Sequence, residues 1–249
     1  MPPRPVTYLG IAFLIASVAL VAAGEDEPHW SYTGEDGPDH WAELSPDWGI
    51  CAKGKNQSPI DVVTNLDANL PELIFDYKPN TVREINNGRS IQEQIQPGSF
   101  LRFNDQKVEL LQFHFHVPSE HTVNGRSYPM EAHLVHQDQD GELAVVGVLF
   151  EQGESNPLVE QLWANLPVHR GEEYVSSDKI TINELLPSRR EYYTYTGSLT
   201  TPPCSEGVLW IVLEQPVRVS KKQIRRFVDV MGTVTNRPVQ PAHLRTIIE

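Results

Sequence analysis

Basic side chains are in short supply: 20 lysines and arginines face 33 aspartates and glutamates, a formal charge of −13 with histidine neutral. Affinity for a phosphate backbone comes from cations that neutralise it, so this balance argues against nucleic acid as a partner. Cysteine is scarcer still, with Cys51 and Cys204 the whole complement, and two thiols are too few for a Cys-rich zinc site. Any metal must therefore take imidazole or carboxylate. Long apolar stretches are missing after residue 23, as are repeats, low-complexity tracts and linkers. At 39% hydrophobic over 249 residues, the chain can still bury a real core, which excludes disorder.

Residues 6–23 form the one long apolar run, which follows Arg4 and ends in the small residues Ala22, Ala23 and Gly24. This pattern predicts a secretory signal peptide over residues 1–24, cleaved to leave a catalytic domain of residues 25–249. The alternative is an uncleaved anchor, because about 18 apolar residues also reach the lower limit of a membrane span. Cleavage removes one arginine and no acid, moving the charge from −13 to −14. Export, to the periplasm or beyond the cell, places the remainder in an oxidising compartment. There an even cysteine count predicts a Cys51–Cys204 bridge, with two buried free thiols as the alternative. Closing so long a loop would remove about 5 kcal/mol of unfolded-state entropy, an upper figure.

Turn signals recur at short intervals, among them Lys78-Pro79-Asn80, Asn86-Asn87-Gly88, Gln96-Pro97-Gly98 and Asn124-Gly125. Between them, residues 109–117, 130–136, 143–150 and 208–213 have strand character. The spacing predicts a mainly β (α+β) single domain on a large, mostly antiparallel twisted sheet with a few short peripheral helices. One helix is expected over residues 157–166, with Leu158, Leu162, Trp163 and Leu166 on one face. Another is capped by Ser220, carries Ile224, Phe227, Val228 and Met231, and stops at Gly232. Lys221, Lys222, Arg225 and Arg226 form the solvated face of the second.

Alternate side chains of a strand share a face, so Gln112, His114 and His116 point one way while Phe113, Phe115 and Val117 point the other. Two buried imidazoles need partners, and a metal ion or a hydrogen-bonded core both answer that need. In residues 130–136, Glu131, His133 and Val135 share a face. If this strand neighbours the first, His133 completes a three-imidazole site that leaves the fourth tetrahedral position of zinc open, as catalytic sites do. Gln112 and Glu131 lie two residues from a candidate ligand and are placed to accept the second ring N–H. His121 and His136 fall outside the pattern and read as ordinary polar or core histidines.

At this point the sequence resembles the alpha-class carbonic anhydrases, in particular exported bacterial members. The resemblance rests on Gln112 to His116, Ser119-Glu120-His121-Thr122-Val123 and Glu131 to His136. It extends to His29-Trp30, Gly37-Pro38-Asp39-His40-Trp41, Asn56-Gln57-Ser58-Pro59-Ile60-Asp61, the stretch Tyr195 to Pro203 and the stretch Asn236 to Pro241. It implies Zn2+ on His114, His116 and His133, with Gln112, Glu131 and the backbone carbonyl of Asn236 as acceptors behind them. It implies that Thr200 donates its hydroxyl to Glu120 and aims a zinc-bound hydroxide at carbon dioxide. Val135, Val145, Leu199, Val208 and Trp210 would form the substrate wall, completed by Thr200 and Thr201. Carbon dioxide, bicarbonate, small anions and sulfonamides are the implied ligands, the cysteine bridge fits the exported members, and a homodimer is left open.

Asn86-Asn87-Gly88-Arg89 is similar to the family segment that usually ends in a proton-shuttling histidine, and here it ends in arginine. A guanidinium stays charged and cannot accept a proton. Bulk water as the acceptor would limit turnover to the order of 10⁴ s⁻¹, against ~10⁶ s⁻¹ with a shuttle. His29 is a conceivable substitute. Two other functions compete with this reading. A cupin-type metal oxygenase would use Glu120 itself as a ligand in His114-x-His116-x-x-x-Glu120, and a non-catalytic carbonic-anhydrase-like binding module would have lost its chemistry.

Overall fold

The computed structural model describes residues 28–249, and the predicted leader at residues 1–24 lies outside them. In chain order the strands are β1 (Asp61–Val62), β2 (Ile74–Asp76), β3 (Val82–Asn86), β4 (Ile91–Ile95), β5 (Phe100–Phe103), β6 (Gln106–His116) and β7 (Thr122–Val123). They continue with β8 (Arg126–Ser127), β9 (Met130–Gln137), β10 (Leu143–Gln152), β11 (Glu173–Val175), β12 (Tyr192–Ser198) and β13 (Glu206–Val219). The helices are α1 (Trp41–Leu44), α2 (Ile50–Lys53), α3 (Pro157–Leu162) and α4 (Lys221–Met231).

Ten strands make one sheet in the order β11, β3, β4, β6, β9, β10, β13, β12, with β5 also on β6 and β2 on β5. Every pairing in it is antiparallel except β10 with β13, so the expected mostly antiparallel sheet is present with one parallel step. A parallel step needs a long connection, and residues 153–205, which include α3, supply it. Three of the four predicted strands lie within longer ones, and the fourth, 109–117, overruns by Val117 the strand β6 that ends at His116. The Asn124-Gly125 signal is the tight turn between β7 and β8, where both residues have positive φ, 50° and 77°.

Because paired residues share a face, the sheet divides two hydrophobic cores. One contains Phe113, Phe115, Ala132, Leu134, Val146, Val148 and Leu213. The other contains Val145, Leu149, Tyr195, Val208, Trp210 and Val212. Helices α3 and α4 both cover the first core, through Leu158, Leu162 and Phe227. The sequence explains their ends. Asn156 accepts from the Leu158 and Val159 N–H groups ahead of Pro157, and Ser220 and Gln223 form a reciprocal capping box. Gly232 stops α4 at φ 68°, where a side chain is disfavoured.

Two details of the helices differ from expectation. The α-helical part of the first ends at Leu162, and Trp163–Asn165 form a tighter 3₁₀ turn that brings Trp163 into the core. On α4, Val228 is exposed, because Phe227 alone fills the position facing the sheet while Ile224 and Met231 flank it. Lys221, Lys222, Arg225 and Arg226 are exposed as expected.

Cys51 and Cys204 form a disulfide across 153 residues, with Cα atoms 5.1 Å apart. It joins α2 to the loop after β12 and packs with Trp30, Tyr32, Trp41 and Trp48 in a third apolar cluster.

Candidate metal centre

The register of β6 and β9 assembles the site. His114 lies opposite His133 and His116 opposite Glu131, so the two pairs share the face away from α3 and α4. His114, His116 and His133 each offer one ring nitrogen, and these atoms lie within 4.8 Å of one another. The second nitrogen of each ring is occupied. His114 Nδ1 donates to Gln112 Oε1 at 2.9 Å, His116 Nδ1 to the Thr235 carbonyl, and His133 Nε2 to Glu131 Oε1 at 3.0 Å. These acceptors fix the tautomers, so His114 Nε2, His116 Nε2 and His133 Nδ1 carry lone pairs. Burial holds all three rings below the ordinary histidine range, His116 at about 4, and keeps them neutral.

His116 Nε2 is buried without any hydrogen-bond partner. Such an atom costs on the order of 1–3 kcal/mol unless something ligates it. Three converging lone pairs on neutral nitrogens, one of them otherwise orphaned, fit a divalent ion such as zinc.

One expected acceptor is displaced. The carbonyl behind His116 belongs to Thr235, not Asn236. Thr235 is fully buried and also receives the Val117 N–H on its hydroxyl, so the chain crosses β6 at this residue, whereas Asn236 is half-buried beyond it.

Glu131 accepts four hydrogen bonds, from the Glu120 and His121 backbone N–H groups and from the His121 and His133 rings. Burial alone would raise its pKa, but the attraction of His121 and His133 holds it well below the ordinary carboxylate range. This crowding explains Gly147 opposite His133 on β10, where a Cβ would sit 2.9 Å from Glu131 Oε1. His121, Glu131 and His133 also form a donor cluster, but their mutual hydrogen bonds already use these atoms. His121 is thus a buried polar histidine, as expected, and it continues to Tyr195 (2.7 Å) and from there to Ser58 (2.9 Å). His136 sits on the opposite face, bonded to Tyr77.

Beside the imidazoles lies Glu120. Its Oε1 accepts the Arg237 backbone N–H at 2.7 Å, and its Oε2 stands 3.8 Å from His133 Nδ1. Burial raises it to about 7 against the opposing pull of His133, the Arg237 N–H and the Thr200 hydroxyl. Thr200 is held by the loop that follows β12. Ser58 and Ser198 exchange backbone and hydroxyl hydrogen bonds there, and Leu199 N–H donates to Ser205. A Cβ on Gly197 would strike Ser58 Oγ, so glycine keeps that exchange possible.

Val145, Val208 and Trp210 pack with Val135 and Leu199 in one apolar cluster, and the Trp210 ring lies 4.8 Å from that of His133. A cavity of about 170 Å³ opens above His114 and His116, walled by Trp30, Tyr32, Arg89 and Thr201. Arg89 lies over the Trp30 ring at 4.4 Å. The roles of Thr235, Arg237 and Ser58 are not apparent from residue type. Arg237 is fully buried, and its guanidinium bonds Gln57, Ser58 and the Cys51 carbonyl. The one signal for it was the motif Asn236-Arg237-Pro238, which carries no chemistry on its face.

Fold and site together define a β-sheet protein in which three converging histidines that could hold a metal ion lie at the base of a cavity. The chain belongs to the eukaryotic-type carbonic anhydrase family, whose model matches residues 36–249. It is 41% identical to a carbonic anhydrase of Pectobacterium carotovorum over 96% of this chain and 98% of that protein. Among solved structures, a hyperthermostable carbonic anhydrase from a hydrothermal vent chimney is 49% identical with a TM-score of 0.86, covering 89% of this chain and 99% of that one. The alpha-carbonic anhydrase of Thermovibrio ammonificans, solved with sulfanilamide, is 44% identical with a TM-score of 0.87 over 90% and 100% of the two chains. The cupin-type alternative is overturned by the family and by this sheet topology. The non-catalytic alternative gives way to relatives that are themselves carbonic anhydrases.

Proposed function

We propose that His114, His116 and His133 hold a zinc ion at which this enzyme carries out its reversible hydration of carbon dioxide to bicarbonate and a proton. Hydration itself follows from membership of the family; the observation supporting the metal assignment is the orphaned, buried His116 Nε2 facing two further lone pairs. Zinc on three neutral imidazoles supplies, when bound, a Lewis acid that lowers the pKa of a water from 15.7 to about 7.

The chain's own residues do the rest. Gln112, Glu131 and the Thr235 carbonyl fix the three rings in the tautomers that ligate. Beside a divalent charge the Glu120 carboxyl is ionised, the form that accepts the Thr200 hydroxyl proton. Thr200 then has only acceptor capacity left toward the reacting oxygen, which fixes the direction of attack. Carbon dioxide has no net charge or dipole, so Val135, Val145, Leu199, Val208 and Trp210 receive it by excluding water. The backbone of Thr200 and the side chain of Thr201 face the anionic product, and the same region takes small anions and sulfonamides. The Cys51–Cys204 bridge suits an exported protein, periplasmic or extracellular, and no described helix is long and apolar enough to cross a membrane.

Metal analysis coupled to a hydration assay, with and without a chelator and an aromatic sulfonamide, tests the assignment. Stoichiometric zinc and hydration lost on chelation and restored by zinc are expected. Hydration that persists in metal-free protein would sink it.

A further inference from the structure

Hydration releases one proton for every bicarbonate formed, and that proton needs an acceptor between the metal centre and solvent. The walls of the cavity above His114 offer none that serves. Arg89 is charged at any working pH. Burial holds Tyr32 protonated, well above the ordinary tyrosine range. Gln92, Gln112 and Thr201 do not titrate. Glu120 titrates, but it is sealed beneath the cavity and bonded to Arg237.

A second cavity of about 80 Å³ adjoins the first and shares Trp30, Tyr32, Asn87 and Arg89 with it. His29 is among its lining residues. Arg89 and Trp30, which line both, are stacked on each other, and Arg89 Nε also donates to the Trp30 carbonyl at 3.3 Å. His29 is the residue next to Trp30 in the chain, and its Nδ1 lies 3.1 Å from Asp36 Oδ2. That carboxylate fixes the tautomer and leaves Nε2 as the lone-pair atom. The side chain is 65% exposed, open to solvent buffers. Among the described residues lining the two cavities, the metal ligands apart, His29 is the one whose side-chain type changes charge between pH 5 and 8.

We propose that His29, braced by Asp36, is the group through which this enzyme passes the reaction's proton to solvent, a proposal that rests on the metal reading above. His29 Nε2 takes the proton that hydration releases to give an imidazolium, and buffer base removes it.

Oxygen-isotope exchange separates proton transfer from interconversion of carbon dioxide and bicarbonate, and so tests the two readings apart. His29→Ala is expected to slow proton transfer about tenfold or more while interconversion stays within about twofold, with imidazole in the buffer restoring the loss. Arg89→His, which puts an acceptor into the wall that both cavities share, is expected to speed proton transfer and to remove the effect of His29→Ala in the double variant. The NMR titration midpoint of the His29 ring should coincide with the midpoint of the proton-transfer rate, and Asp36→Asn should move both together. Unchanged proton transfer in His29→Ala, equal loss of both steps, or midpoints that separate would overturn the proposal. A zinc-loaded wild type that interconverts nothing would instead overturn the metal reading beneath it.

Discussion

The two faces of the central sheet handle buried polar groups in opposite ways. On the face that carries the three histidines, each ring has its own acceptor, Gln112 for His114, the Thr235 carbonyl for His116 and Glu131 for His133, and His116 Nε2 stands without a partner where the ligand atoms converge. On the face beneath α3 and α4, Glu84 and Glu93 are directly opposite across β3 and β4, and Glu93 pairs with Phe113. Both are buried, yet Glu84 Oε2 and both Glu93 carboxyl oxygens have no hydrogen-bond partner. A buried charge is tolerated where partners compensate it and is otherwise neutralised. Glu131 is therefore held ionised, while burial raises Glu84 to about 8 and Glu93 well above the ordinary range. One residue type in one sheet takes opposite charge states, and the partners decide which.

The sharpest way to break this contrast is Glu131→Gln, which keeps the shape and removes the charge. The amide still accepts on one side but sets an N–H₂ against donors on the other. Metal affinity should fall about 10–100-fold, the usual cost of losing a partner behind a ligating histidine, with about 1–3 kcal/mol of stability lost as well. Competition with a chromogenic chelator and denaturant unfolding measure the two. Affinity unchanged from wild type would mean that Glu131 serves packing rather than the metal.

The metal face was legible in the sequence because strand period and residue chemistry coincide there. Imidazoles at alternate positions of residues 112–116 and an acid two residues before His133 point to one face and one task. The displaced carbonyl was not legible, because any residue of the segment around Asn236 has a carbonyl and only the path of the chain selects Thr235. The loop contacts of Ser58, Ser198 and Arg237 stayed hidden for the same reason, since they join residues more than a hundred positions apart. The family motifs marked those stretches without giving a cause. The acid pair was missed because Glu84 and Glu93 look like the solvent-facing members of alternating strands. Their burial follows from the helices laid over that face, which strand periodicity does not encode.

The acid pair gives the next effect in size. The unfolded chain ionises a glutamate near the ordinary 4.5, whereas folded Glu84 retains its proton up to about 8. Between these values the folded state binds more protons, so stability falls as pH rises, by at most about 1.4 kcal/mol per pH unit for each fully linked proton. Below that window the pair costs nothing in linkage, and above about 8 the decline attributable to Glu84 levels off. Glu93→Gln removes one proton from the balance and separates the remaining acid from a neighbouring negative charge. Thermal melts from pH 5 to 9 should show a shallower decline in the variant than in the wild type, with metal content unchanged. Parallel curves would show that the pair is not protonated in the fold.

The smallest effect concerns a polar group on that same covered face which does have partners. His136 is fully buried, with Nδ1 donating to the Ala144 carbonyl at 3.3 Å and Nε2 accepting from the Tyr77 hydroxyl at 2.6 Å. Burial lowers it to about 4, so the ring is neutral and its lone pair is satisfied by tyrosine rather than by a metal. Tyr77→Phe keeps the ring contact, 5.9 Å between centroids, and removes only the donor. The orphaned nitrogen should cost about 1–2 kcal/mol, read as a lower denaturant midpoint at pH 7, with zinc affinity and hydration at wild-type values. The wild type should also lose stability as pH falls from the unfolded histidine value near 6.5 toward 4, because the unfolded state then takes the proton that folded His136 refuses. If Tyr77→Phe disturbed metal binding, the two faces would be coupled through β9, and the separation of structural from catalytic histidines by strand face would fail.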